Sequence, residues 1–66
     1  MNIQIEFGKR VKEVRRKKGM SQEELSRISG LNRNYVSDVE RGKRNISLQS
    51  VSKIAEGLSI EVKELF

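Results

Sequence analysis

Apolar residues recur along this chain at helical spacing. Phe7, Val11 and Val14 stand at i, i+4 and i+7, which predicts a helix over about Glu6 to Lys18. Lys17 and Lys18 suit its negative C-terminal end, and Gly19 supplies a left-handed residue after it. In the next run, MSQEEL, Ser21 and Glu24 have the spacing of a capping box, which opens a helix from Gln22 to Ser29. Leu25 and Ile28 form its inner face, and Gly30 ends it. Asn32 caps a third helix marked by Val36 and Val39, with Gly42 as terminator. Ser47 caps a fourth, with Leu48, Val51, Ile54 and Ala55 at helical spacing. Ser59 caps a short fifth, whose apolar residues are Val62, Leu65 and Phe66. Period-2 alternation is confined to Ile3 and Ile5, and there is no proline. The pattern predicts one all-α domain over residues 1–66, a compact bundle of five short helices. Each is too short to persist alone in water, so their faces must pack together.

At 66 residues the chain sits near the lower limit at which a core stabilises a fold unaided. It has no Cys and no His, which excludes disulfide staples and the usual zinc sites. No apolar run approaches the ~20 residues needed to span a bilayer. The N-terminus lacks a signal-peptide pattern, so the expected location is the cytoplasm. The net charge is +5, and it is clustered: residues 1–20 carry seven Lys/Arg against two Glu, and 41–57 carry four against one. Such clustering favours a polyanionic partner.

The second and third helices narrow the choice. A short helix, a glycine at its end, a brief turn and another short helix is helix-turn-helix spacing, here over about residues 22–41. With Arg33 set at ~0° and each residue stepping ~100°, Val36 and Val39 fall near ~300° and ~240°. Asn34, Ser37, Asp38 and Arg41 fall between ~40° and ~140°. The outer side thus offers a guanidinium, an amide, a hydroxyl and a carboxylate, groups that can read base edges in a major groove. Tyr35, near ~200°, divides between packing and contact.

Each residue also has a plainer role. Arg33 and Asn34 can be solvated first-turn residues. Asp38 can accept from Asn34, pair with Arg41, or contact a base. Ser21 is first a cap, while the helix start it shares with Gln22 can hold a phosphate. Glu40 borders the inner face: either it needs a cation, for which Arg15 is the candidate, or it is a surface carboxylate with no fixed partner. In the run RGKRNIS, Arg41, Lys43, Arg44 and Asn45 are either a solvated loop or a phosphate grip beside the third helix.

Residues 10–66, RVKEVRRKKGMSQEELSRISGLNRNYVSDVERGKRNISLQSVSKIAEGLSIEVKELF, resemble the Xre/Cro–C1 helix-turn-helix family of lambdoid phage repressor type. The marks are KGMSQEEL, SGL, VERGKRNISL and KIAEGL. Within the family the chain is most similar to controller proteins of restriction–modification systems. The resemblance implies a lambda-repressor-like domain that dimerises through its C-terminal part, about 58–66, on a pseudo-palindromic operator. It assigns base reading to Arg33, Asn34, Tyr35 and Ser37, with Asp38 beside them. Phosphate contact falls to Gln22, Lys43, Arg44 and Asn45, and a buried ion pair to Arg15 and Glu40. Two positions depart from the family: Ser26 replaces the usual Ala, and Ile46 replaces a proline common before the fourth helix.

The expected activity is therefore sequence-specific DNA binding and transcription regulation by a homodimer that blocks or touches RNA polymerase. Of the apolar end, Leu58, Ile60, Val62, Leu65 and Phe66, part closes the core and part forms the two-fold interface. No sensing domain is expected after Phe66. The sequence contains no catalytic triad, metal cluster or phosphate loop, so no enzyme activity, cofactor, metal, membrane or small-molecule ligand is expected. The rival readings are a phage or host repressor, an antitoxin-like interaction module, and a non-specific chromatin-like binder.

Overall fold

The computed structural model of the chain describes residues 2–66. Met1, with which the expected domain begins, lies outside the described residues. The Asn2 side chain starts α1, Ile3–Lys17, by accepting hydrogen bonds from the N–H groups of Gln4 (3.0 Å) and Ile5 (3.2 Å). The helix therefore begins ahead of the expected Glu6. Ile3 and Ile5 lie in its first turns, so their alternation marks no strand.

The remaining helices are α2 (Gln22–Ser29), α3 (Arg33–Glu40) and α4 (Leu48–Leu58), followed by one 3₁₀ turn, Val62–Leu65. Among the described residues, four α-helices and a turn thus stand where five helices were expected. The expected caps Ser21, Asn32 and Ser47 each accept a main-chain N–H at the start of the next helix. Ser59 does not start a fifth helix. It ends α4 in the left-handed region at φ 58°, and its N–H bonds back into α4. The last turn instead begins at Glu61, whose N–H donates to Glu64 Oε2 at 2.9 Å.

The core is built from one face of every helix: Phe7, Val11 and Val14 of α1, Leu25 of α2, Val36 and Val39 of α3, and Val51, Ile54, Ala55 and Leu58 of α4. Leu65 closes the bottom. Gly8 sets the spacing of α1 and α3: a Cβ there would overlap the Val39 carbonyl oxygen and stand 2.9 Å from that of Glu40. Glycine weakens a helix interior, and here this close approach of two backbones requires it. Gly57 plays a similar part between α4 and α2, where a Cβ would lie 3.0 Å from Leu25 Cδ1 and 3.3 Å from Ser29 Cβ.

Two inward assignments are corrected. Ile28 is 52% exposed, because Ser29, four residues after Leu25, takes the contact with α4. Leu48, at the exposed start of α4, is 87% exposed. The C-terminal set also divides. Leu58 and Leu65 are buried in the protomer's own core and have no surface for a second copy. Ile60 packs half-buried against the core, whereas Val62 and Phe66 are exposed. The Phe66 ring lies 5.2 Å from that of Phe7, and Arg10 Nε donates to the Glu64 carbonyl at 2.8 Å, tying the C-terminus to α1.

Candidate nucleic-acid interface

The α2–α3 corner is fixed by small polar groups. Gly30 takes φ 76°, a conformation open to glycine without strain, and turns the chain out of α2. Ser26 Oγ donates to the Leu31 carbonyl at 2.5 Å, and Leu31 N–H donates to Ser29 Oγ at 3.3 Å. The hydroxyl that replaces the family's usual alanine thus satisfies a turn carbonyl, a role the sequence did not reveal.

Behind this corner lies a buried ionic cluster. Arg15 Nε and Nη2 donate to Glu40 Oε2 and Oε1 at 2.6 and 3.1 Å, and Arg15 Nη1 donates to the Met20 carbonyl at 2.6 Å. Gln22 Nε2 adds a third donor to the carboxylate, at 3.0 Å from Oε1. The Arg15 and Glu40 side chains are 10% and 2% exposed. A desolvated carboxylate is costly unless its lone pairs are satisfied, and here three donors satisfy them. One cluster therefore joins α1, α2 and α3. Gln22, expected at a phosphate, commits part of its amide to this bond.

On the opposite side of α3, Arg33 and Asn34 are exposed, and Ser37 and Tyr35 are half-buried. Tyr35 packs against the core with one part of its ring, while Arg44 Cζ sits 4.7 Å from the ring centroid. That distance is within the range of a cation–π contact. Asp38 does not bond Asn34. Its Oδ1 accepts from Arg41 Nη2 at 2.9 Å and its Oδ2 from Arg44 Nε at 3.4 Å. The Arg41 hydrogen bond, with a smaller one from Arg44, holds the Asp38 carboxyl below the ordinary Asp range.

The loop after α3 folds back over the helix end. Gly42, at φ 73°, lies against Ile5 of α1, and Lys43 N–H donates to the Asp38 carbonyl at 2.9 Å. Lys43 is exposed, and the Asn45 side chain accepts from Gln4 Nε2. Gln4 was not singled out in the sequence, and no motif marks a residue that joins the loop from so far away. Ser21 and Glu24 complete a capping box at the start of α2, both bonds at 3.0 Å. The Ser21 N–H holds the Glu24 carboxyl below the ordinary Glu range, helped by the Ser21 hydroxyl. Arg33, Asn34, Ser37 and Tyr35 on α3, and Lys43 and Arg44 in the loop after it, are thus all at least partly exposed, and Arg44 links the loop to Tyr35. No helix among the described residues is long and apolar enough to cross a membrane.

Known proteins resemble this chain in sequence and in fold. A helix-turn-helix family model matches residues 11–65. The control protein C.BamHI of Bacillus amyloliquefaciens is 45% identical over 65 residues, covering 97% of this chain and 80% of that protein. The crystal structure of the restriction–modification controller protein C.AhdI from Aeromonas hydrophila is 53% identical, with a TM-score of 0.92 and 94% of each chain covered. The controller protein C.Esp1396I, solved as a tetramer in complex with its natural 35-base-pair operator, is 32% identical. It has a TM-score of 0.88, with 98% of this chain and 96% of that one covered. A polar-faced helix held on a three-helix ionic cluster, and a match spanning nearly the whole chain, lead to one conclusion: the chain belongs to the helix-turn-helix family of Xre/Cro–C1 type, among whose members its relatives include restriction–modification controller proteins.

Proposed function

We propose that this chain is a sequence-specific DNA-binding transcriptional regulator of a restriction–modification system, acting as a homodimer on a pseudo-palindromic operator. The observation that carries this reading is the division of α3. Its inner side is fixed by Val36, Val39 and the buried Glu40, while Arg33 and Asn34 are exposed on the other. A short helix gains no stability from such a polar face, but a groove reader requires one. Arg33, Asn34, Tyr35 and Ser37 meet base edges, and Lys43, Arg44, Arg41 and the start of α2 at Ser21 and Gln22 engage phosphates. Asn45 orders the grip through its bond with Gln4. The protein acts by occupancy in the cytoplasm, without turnover, by blocking RNA polymerase or contacting it.

A second copy covers the apolar surface around Phe66, Val62 and Ile60, joined by the exposed Leu48 and Ile3. These last two residues flank a cleft of about 240 Å³ with Phe7, Ile46, Val51 and Phe66. Two protomers joined this way present their α3 helices to half-sites about one helical turn apart, ~34 Å. Selection from random duplexes tests the whole reading, and it should return a two-fold-related sequence. Equal binding of selected and scrambled duplexes at physiological salt would leave only a non-specific basic protein.

A further inference from the structure

Asp38 is in an unfavourable place for a residue with only a local role. It lies in the last turn of α3, where the helix dipole disfavours a negative charge. It also lies on a surface otherwise suited to polyanions, and repels them. Glu40 shares the first problem, but Arg15 resolves it inside the fold. Asp38 is resolved only by two arginines of the proposed grip, Arg41 and Arg44. Each of its oxygens accepts from one of them, so the carboxylate is engaged within its own surface before any base is met.

The geometry of the two arginines is informative. Asp38 uses one nitrogen of each, Arg41 Nη2 and Arg44 Nε, and a guanidinium has five N–H donors. The rest stay available to a phosphate while the bracket holds. Arg44 is fixed a second time by the Tyr35 ring, and the Asp38 carbonyl also receives Lys43 N–H. Asp38 therefore joins a reading residue, two cations and the loop backbone into one unit.

Building on the DNA-binding reading above, we propose that Asp38 determines specificity without reading a base. It holds Arg41 and Arg44 in one arrangement that fits the phosphates of a correctly seated duplex, and its charge penalises every other seating. Pre-organised arginines favour only the complex whose geometry they match. Unspecific complexes depend on net charge, and there the carboxylate is a pure cost.

The test is binding of Asp38→Asn and Asp38→Ser to the selected and scrambled duplexes across a salt series. Scrambled DNA should bind the variants about fivefold more tightly, with a log–log salt slope steeper by about one unit. The selected duplex should gain less or weaken, so the ratio of the two affinities falls. Arg44→Ala should penalise the selected duplex more than the scrambled one in the wild-type background, and both alike beside Asp38→Asn. An unchanged ratio, whether both affinities rise together or neither moves, overturns the proposal. So does a loss confined to one base position with scrambled binding unchanged, which would make Asp38 a base reader. If the wild-type protein itself fails to discriminate, the DNA-binding reading has failed. If it discriminates and the variants keep its ratio, only the role of Asp38 has.

Discussion

Helix α3 carries two carboxylates two positions apart, and each is paired with arginine. Glu40 faces inward, is bonded by Arg15 and Gln22, and is almost wholly removed from water. Asp38 faces outward, is 29% exposed, and is bonded by Arg41 and Arg44, themselves largely solvated. The chemistry is the same and the depth differs. In the interior, losing one partner strands a charge that the fold must still accommodate, so the pair is an all-or-none element of structure. At the surface, water replaces a lost partner at little cost, so the pair governs what the surface binds rather than whether it folds.

The comparison breaks most visibly in the interior. Arg15→Ala should destabilise the protein by about 3–5 kcal/mol, read as a lower denaturant midpoint, because Glu40 is left buried with only Gln22. Replacing both partners by apolar residues of similar volume should cost much less. On the outer face, Arg33→Ala should leave the unfolding midpoint near wild type. It should weaken selected-duplex binding by ~1–3 kcal/mol and relax preference at one base pair. Lys43→Ala is a smaller change: it should weaken all duplexes similarly and flatten the log–log salt slope by about one unit.

Acid titration gives the smallest effect. The Asp38 carboxyl is depressed by Arg41 and Arg44, and that of Glu24 by Ser21. A depressed carboxyl stabilises the fold above its unfolded-state value, and the contribution is lost as pH falls through the folded value. Stability should therefore be flat near neutrality and decline only at and below the ordinary carboxylate range. Asp38→Asn should remove part of that decline, measured by thermal melts across pH.

The contrast also explains what was legible in the sequence. Helix starts were readable where a hydroxyl or amide preceded an apolar stripe, as at Ser21, Asn32 and Ser47, because capping is local chemistry. For Glu40 the wheel showed only a carboxylate at the border of the inner face that called for a cation, and the family resemblance assigned that part to the candidate Arg15. Asn2 was missed because the first turn of α1 has an exposed Ile3 and no stripe to announce it. A serine favours a helix start, but the N–H groups of Ser59 and Ile60 donate to the Glu56 and Ala55 carbonyls at the end of α4, so the next turn begins only at Glu61. The bond from Asp38 to Arg44 crosses the Gly42 turn, so helical periodicity has no bearing on it. Ile28 and Leu48 show the limit of spacing: it gives a helix its stripe but not the width of the neighbour that covers it.

Gly8 lies on α1 and takes no part in the reading face, yet its missing side chain decides how close α1 comes to the end of α3. The contact is backbone against backbone, so no rotamer can absorb a change there. Transplanting α3 into a relative with a bulkier residue at that point would carry over the letters of recognition but not their alignment. On the proposed DNA-binding reading, the grafted helix would meet a groove at another tilt. In redesigning this surface, position 8 is a coarse adjustment of the tilt of α3, and substitutions at Arg33 or Asn34 act within the tilt that it sets.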